Sequence, residues 1–406
     1  MMSMVFKILK TFFKVSLVFV TALLLLASVY VAYNTPLTLK VRRLSKQELR
    51  TYTESLDTDL SEPLQFVADK FDSHDVVLIG EPHWVKQHID FAKKLIPYLY
   101  QTKGIKIFAW EFGASDFQNE VDSLVNAPAF DRKRVIAISR RACFFWNFEE
   151  YLDIFKVIWA INQTIPPDQE KFRFLQLGSD YNPRKLHSKD PAIRMKEVLR
   201  FYYDEKMGRI IEAEVIQKHK KGLWYSGAHH AFTKYRQPLF LFRKAPDVRG
   251  GQYLYARYPE RVYMIILHFP YPGKWFLFQK DAVFTYGFGA VYDQIYREYK
   301  RPFAVDAKNP LFGDLKDNHS YYSFDRWSLK LREFCDGYIV PCAISEMEPV
   351  ALVPDWVTND TELEEVRSIL PAQDAARIKD VPALLEYIEE QTGRARIKEW
   401  RNLGEF

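Results

Sequence analysis

The 406-residue chain is 48% apolar and 27% charged, with a net charge of +5, a globular rather than a disordered composition. Its Lys and Arg are dispersed among acids and form no basic stripe, which argues against a nucleic-acid partner. The length suits one large domain or two small ones.

The first element in chain order is the uncharged apolar run Val15 to Tyr33, at about 19 residues close to the length that spans a bilayer as a helix. Lys7, Lys10 and Lys14 precede it, which favours residues 1–14 on the cytoplasmic side and export of the remainder, to the periplasm or to an extracellular or lumenal space. Tyr30 and Tyr33 spoil a small-residue cleavage site, so residues 15–33 are expected to remain as a single-pass signal anchor. Residues 34–61 read as a polar linker with a helix near Lys46 to Glu54. Residues 62–350 are expected to form the folded domain, and 351–406 a helical C-terminal extension with a helix over Val381 to Glu390.

Inside the domain, short apolar runs alternate with helical periodicity. Strands are expected at Val76 onward, Ile105–Trp110, Phe172–Leu177, Leu223–Ser226, Val262–Leu267, Trp275–Phe278 and Gly337–Val340. Helices are expected at Pro63–Lys70, His88–Tyr100, Phe117–Leu124, Phe148–Asn162 and Ile193–His219. This alternation predicts an α/β fold, a mostly parallel central sheet flanked by helices and preceded by one N-terminal transmembrane helix.

The residues just past the strand ends show the informative regularity. The run V-V-L-I-G-E-P-H stops at Pro82, which cannot donate to a ladder, and releases Glu81 and His83 where the strand ends. Glu111 comes after the second strand, Asp180 after the third, His229 and His230 after the fourth, and His268 after the fifth. Ligands of open parallel sheets bind at the carboxyl ends of the strands, so these residues mark a candidate site. Histidine titrates near neutrality and can take a proton from water and return it to a leaving group. Glu81 and His83 therefore suit either a base with its orienter or two metal ligands; equally, Glu81 could cap the next helix and His83 be a loop residue. Glu111, between aromatics, must be paired, metal-bound or protonated. His88, Asp180, His229 and His268 are expected in supporting positions around these groups. No G-x-S-x-G, H-E-x-x-H, Walker or Rossmann signature is present.

Cys143, Cys335 and Cys342 are an odd set without metal-ligand spacing, and Cys335 and Cys342 are either a pair or two buried thiols. Sequons occur at Asn162, Asn318 and Asn359.

The two G-x-x-H turns, Gly80–His83 and Gly227–His230, with Glu111 between them, resemble the erythromycin esterase-like, ChaN and TIKI superfamily. F-W-N-F-E-E-Y-L-D-I-F at Phe144–Phe155, F-R-F-L-Q-L-G-S-D at Phe172–Asp180, F-A-V-D at Phe303–Asp306 and F-C-D-G-Y-I-V at Phe334–Val340 add to the likeness, as islands between about Ser73 and Val350. The resemblance implies a hydrolytic or haem-binding site at the strand ends; a third reading is a catalytically inactive interaction protein that keeps the fold, since fold does not fix function. It implies His83 as the base that activates water against an ester, lactone or peptide carbonyl, with Glu81 and Glu111 orienting water. His230 would stabilise the oxyanion. In the metal-dependent branch, Glu81, His83, Glu111 and His230 would hold a divalent ion such as Mn, Co or Zn; in the ChaN branch the ligand would be haem. The adjacent His229 and His230 depart from the esterase pattern, in which two residues separate the pair.

Overall fold

The computed structural model describes residues 2–33, 41–58, 62–142, 144–179, 183–186, 188–202, 204–238, 248–274, 284–401 and 403. An N-terminal unit ending at Val41 is distinct from a compact unit, Arg42–Leu403. The former contains helix α1, Met2–Tyr33. Its segment Thr11–Tyr30 is long and apolar enough to cross a membrane, a test that a signal sequence also passes.

In the compact unit, seven strands form one sheet: β1 (Val76–Glu81), β2 (Ile107–Ala114), β3 (Arg173–Gly178), β4 (Gly222–Gly227), β5 (Val262–Leu267), β6 (Phe303–Asp306) and β7 (Gly337–Val340). Their order is β3-β2-β4-β1-β5-β7-β6. Every pairing is parallel except that of β7 with the edge strand β6. Side chains alternate between faces along a strand, and these strands are apolar on both. Val77 and Ile79 of β1, with Tyr263, Ile265 and Leu267 of β5, enter one core. Val76, Leu78, Val262, Met264 and Ile266 enter the other. The sheet is therefore covered on both sides, as parallel sheets require.

Helices α2 (Lys46–Thr58) and α3 (Pro63–Lys70) precede β1, and α4 (Lys86–Lys103) connects it to β2. Between β2 and β3 lie α5 (Gln118–Val125), α6 (Arg132–Ala142) and α7 (Glu149–Thr164). The helical region expected over Ile193–His219 consists of three pieces, Pro191–Tyr202, Glu205–Ile211 and a π-turn at Glu212–Ile216. Later helices at Asp360–Ile369 and Val381–Gln391 send Leu363, Val366, Leu384 and Ile388 into the same core as α4. The strand expected at Trp275–Phe278 lies outside the described residues.

Because β4 inserts between β1 and β2 while β5 lies on the far side of β1, the connections from the centre of the sheet diverge. A crevice opens at the carboxyl ends of such strands.

Candidate functional site

β1 and β4 run in register, with Gly80 opposite Ser226 and Glu81 opposite Gly227. The two G-x-x-H turns therefore leave the sheet side by side. After His83 the chain turns through Trp84 at φ 68°, a left-handed conformation that costs a bulky residue about 1–3 kcal/mol unless its surroundings enforce it. Here they do. The Trp84 amide donates to the Tyr151 hydroxyl at 3.2 Å, its indole N–H donates to the Phe145 carbonyl, and its ring stacks on Trp146. Trp146 also packs edge-on against the His83 imidazole, centroids 4.5 Å apart.

Glu111 arrives differently from the sequence expectation. It does not come after β2 but lies within it, because the β2–β3 pairing shifts register between Trp110 and Ala114. Such a bulge re-aims a side chain out of the ordinary alternation. The bulge also carries the Glu111 carbonyl over β3, where a Cβ on Gly178 would lie 2.5 Å from it; only glycine fits there.

The result is a chain of six side chains. His83 Nδ1–H donates to Glu81 Oε1 at 2.7 Å, and His83 Nε2 lies 3.5 Å from Glu111 Oε1. On the other side of the same carboxylate, His230 Nε2 is 3.1 Å from Glu111 Oε2, within ion-pair reach but without the alignment of a hydrogen bond. His230 Nδ1 in turn pairs with Asp204 Oδ1 at 2.7 Å, and Asp204 Oδ2 lies 3.3 Å from Arg249 Nη1. Both imidazoles are 28% exposed, while Glu81, Glu111 and Asp204 are at most 6% exposed. Two carboxylate-oriented imidazoles thus face one shared carboxylate beyond the carboxyl ends of β1 and β4.

Burial pulls the His83 pKa down, but the Glu81 hydrogen bond and the charges of Glu81 and Glu111 outweigh it and hold the ring above the ordinary histidine value. For His230, burial is again the largest single influence, and Asp204 and Glu111 overcome it to raise the pKa to about 9. His230 is therefore an imidazolium at neutral pH. Burial raises the pKa of Glu81, whose Oε2 has no hydrogen-bond partner among the described residues.

Known structures resemble this chain. A succinoglycan biosynthesis protein is 11% identical with a TM-score of 0.48, over 72% of this chain and 93% of its own. An erythromycin esterase, an EreC mutant in its open conformation, is 11% identical with a TM-score of 0.45, over 66% and 91%. ChaN of Campylobacter jejuni, with haem bound cofacially, is 13% identical with a TM-score of 0.34, over 50% and 85%. Likeness at this level extends no activity to the chain. No family profile and no curated protein sequence matches it.

The remaining candidates have other partners. His268 is fully buried, its ring nitrogens 2.9 Å from the Tyr338 hydroxyl and 3.0 Å from Asp293 Oδ2. His88 is buried against it, with neither ring nitrogen hydrogen-bonded among the described residues, and its pKa is lowered to about 3 by burial and by His268. These two make a separate polar cluster rather than supporting the Glu111 chain. His229 turns to the Tyr322 hydroxyl at 3.1 Å, and burial keeps it neutral. Asp180 lies outside the described residues. Cys335 and Cys342 are free, buried thiols.

Asp204 and Arg249 were not legible as site residues in the sequence. Asp204 occupies the N-cap of the helix Glu205–Ile211 yet makes no capping hydrogen bond, because its carboxylate is committed to His230 and Arg249. The only available signal was an acid at a break in a long helical period.

Among the described residues no group of three or more His, Cys, Asp or Glu side chains is arranged to hold an ion. Both Nδ1 atoms are held by carboxylates, Glu81 and Asp204, and both Nε2 atoms face Glu111; a metal or haem iron would be reached through Nε2, with the Nδ1 partners orienting the rings.

Proposed function

We propose that the chain is a hydrolase of ester, lactone or amide bonds that activates water with His83. The observation supporting this is the pair of carboxylate-oriented imidazoles facing Glu111 from two adjacent strand ends. With Nδ1–H donated to Glu81, neutral His83 presents its Nε2 lone pair toward Glu111 Oε1 across 3.5 Å, long for a direct contact. A water there donates one proton to Nε2 and the other to the carboxylate. As the water attacks the carbonyl carbon, its proton passes to His83, and the imidazolium that forms is stabilised by Glu81 and Glu111. His230, already charged, donates from Nε2 to the developing oxyanion, the kind of preorganised donor that is worth about 10²–10³ in rate. The protonated His83 then returns its proton to the leaving oxygen or nitrogen.

In this reading residues 62–350 carry the site, residues 351–406 are a helical extension, and α1 anchors the chain with the domain outside the cytoplasm. The substrate is a small ester, lactone or peptide. The test of activity is a panel of such substrates offered to the full-length chain in detergent, wild type against His83→Ala. Retention in the membrane pellet after carbonate washing, together with protease accessibility of the domain from the outer side, tests the topology. Release of a soluble form starting near Asn34 would show cleavage instead.

A further inference from the structure

We propose that Lys206, Ser115 and Ser179 form a cradle for an oxyanion, a carboxylate or phosphate group, beside the Glu111 site. Its chemistry is set by what the lysine touches. Lys206 Nζ donates to Ser115 Oγ at 2.8 Å and to Ser179 Oγ at 3.3 Å. Among the described residues no carboxylate lies within ion-pair distance of it. Other partly buried lysines meet groups that offer only lone pairs. Lys70, Lys93 and Lys234 pair with Asp306, Asp153 and Asp336, and Lys171 with the carbonyls of Asn162 and Ile165. Hydroxyls differ: a serine that accepts from an ammonium keeps its own O–H to donate. With two of its three N–H groups so used, Lys206 retains one. Three donors and one positive charge that meets no carboxylate among the described residues then converge, and hydrogen bonds that involve an ionised partner are the strong ones.

The backbone builds this cluster. Ala114 of β2 and Gly178 of β3 are register partners, so Ser115 and Ser179 stand side by side one residue beyond the paired ends. Lys206 enters from the start of the helix Glu205–Ile211, two residues after the Asp204 that holds His230. All three side chains are partly exposed. The cradle thus opens on the same edge of the sheet as Glu111, from the strand that carries Glu111 and its outer neighbour. Its assignment to the substrate rests on the hydrolytic reading; the binding of an anion does not.

Two measurements on the full-length chain in detergent keep those questions separate. In the first, thermal stability is followed as inorganic phosphate or acetate replaces chloride at constant ionic strength. Wild type should gain stability with added phosphate or acetate, and Lys206→Met should lose that gain. The double variant Ser115→Ala, Ser179→Ala, which retains the lysine, should weaken it and serves if Lys206→Met does not fold. No anion-dependent gain in wild type, or the same gain in Lys206→Met, overturns the cradle. In the second, kcat/KM is compared for two esters differing only by a terminal carboxylate. Lys206→Met should lower the preference for the carboxylate ester by about tenfold or more, the worth of one charge-assisted hydrogen bond; an unchanged preference overturns the assignment to the substrate. Anion binding that depends on Lys206 in a protein that hydrolyses nothing would uphold the cradle and refute the hydrolase.

Discussion

Adding one methyl group at Gly227 tests whether the position of His83 matters, without altering any ionisable group. Gly227 has φ −54° and ψ 142°, a backbone conformation open to any residue, so alanine meets no backbone strain there. It does meet the imidazole. A Cβ would lie 2.4 Å from His83 Cε1, 2.8 Å from its Nε2 and 3.3 Å from Glu111 Oε1. The closest approach is about 1 Å short of the lower limit of ordinary van der Waals contact, so the ring must shift by about that much and its contacts with Glu81 and Glu111 must change. Overpacking of this kind costs about 1–3 kcal/mol in stability, and a 1 Å misplacement of a reacting group costs about 10² in rate. The assays are kcat/KM on a substrate of the panel and the free energy of unfolding in denaturant, each measured for Gly227→Ala with and without His83→Ala. Removing the imidazole vacates the space, so the stability penalty of Gly227→Ala should largely vanish in the double variant. Wild-type turnover in a folded Gly227→Ala protein, or an equal penalty in both backgrounds, would refute the reasoning.

The same geometry gives further expected outcomes. Glu111→Gln keeps the volume but removes the charge that holds the water and stabilises the His83 imidazolium, and should lower kcat by about 10²–10³; His229→Ala, whose ring faces Tyr322, should be much milder, and the reverse ranking would contradict the assignment. The pH profile of kcat/KM should be a bell, rising as His83 loses its proton above the ordinary histidine value and falling as His230 deprotonates near 9, whereas a profile flat across pH 9 would remove His230 from the mechanism. His230 also links pH to stability. Its folded pKa of about 9 exceeds the unfolded value, so its contribution, on the order of 3 kcal/mol, is complete below about pH 6.5 and lost as pH rises toward 9. Asp204→Asn should flatten that loss in a series of thermal melts, and an unchanged slope would show that Asp204 does not set the His230 charge. Among the three sequons, Asn162 should stay unmodified even in a glycosylating host, since its amide is buried and bonded to the backbone of Phe172, as mass spectrometry would show.

The strands were legible because they are short, apolar and bounded by glycine, proline or charge, and a sheet covered on both faces writes such runs directly into the sequence. The position of Glu111 was only half legible: its neighbourhood was visible, but the bulge that aims it depends on pairing with β3 and on Gly178, a long-range relation. His88 and His268 show the converse. The place of His268 at the end of the fifth strand suggested the site, yet β5 lies beyond β1 from β2 and β4, so His268 serves another cluster with His88. Asp204 was hidden because a carboxylate at a helix start ordinarily caps it, and only the tertiary structure shows that this one is committed elsewhere.

The central claim, that His83 takes the proton of the attacking water, is tested most directly by hydrolysis of a panel substrate by wild type and His83→Ala at the wild-type pH optimum, with folding checked by circular dichroism. His83 lies in a turn beyond β1 and is 28% exposed, so its truncation should leave the fold intact. The expected result is a loss of about 10²–10⁴ in kcat at unchanged secondary structure; hydrolysis at the wild-type rate by folded His83→Ala protein would contradict the mechanism.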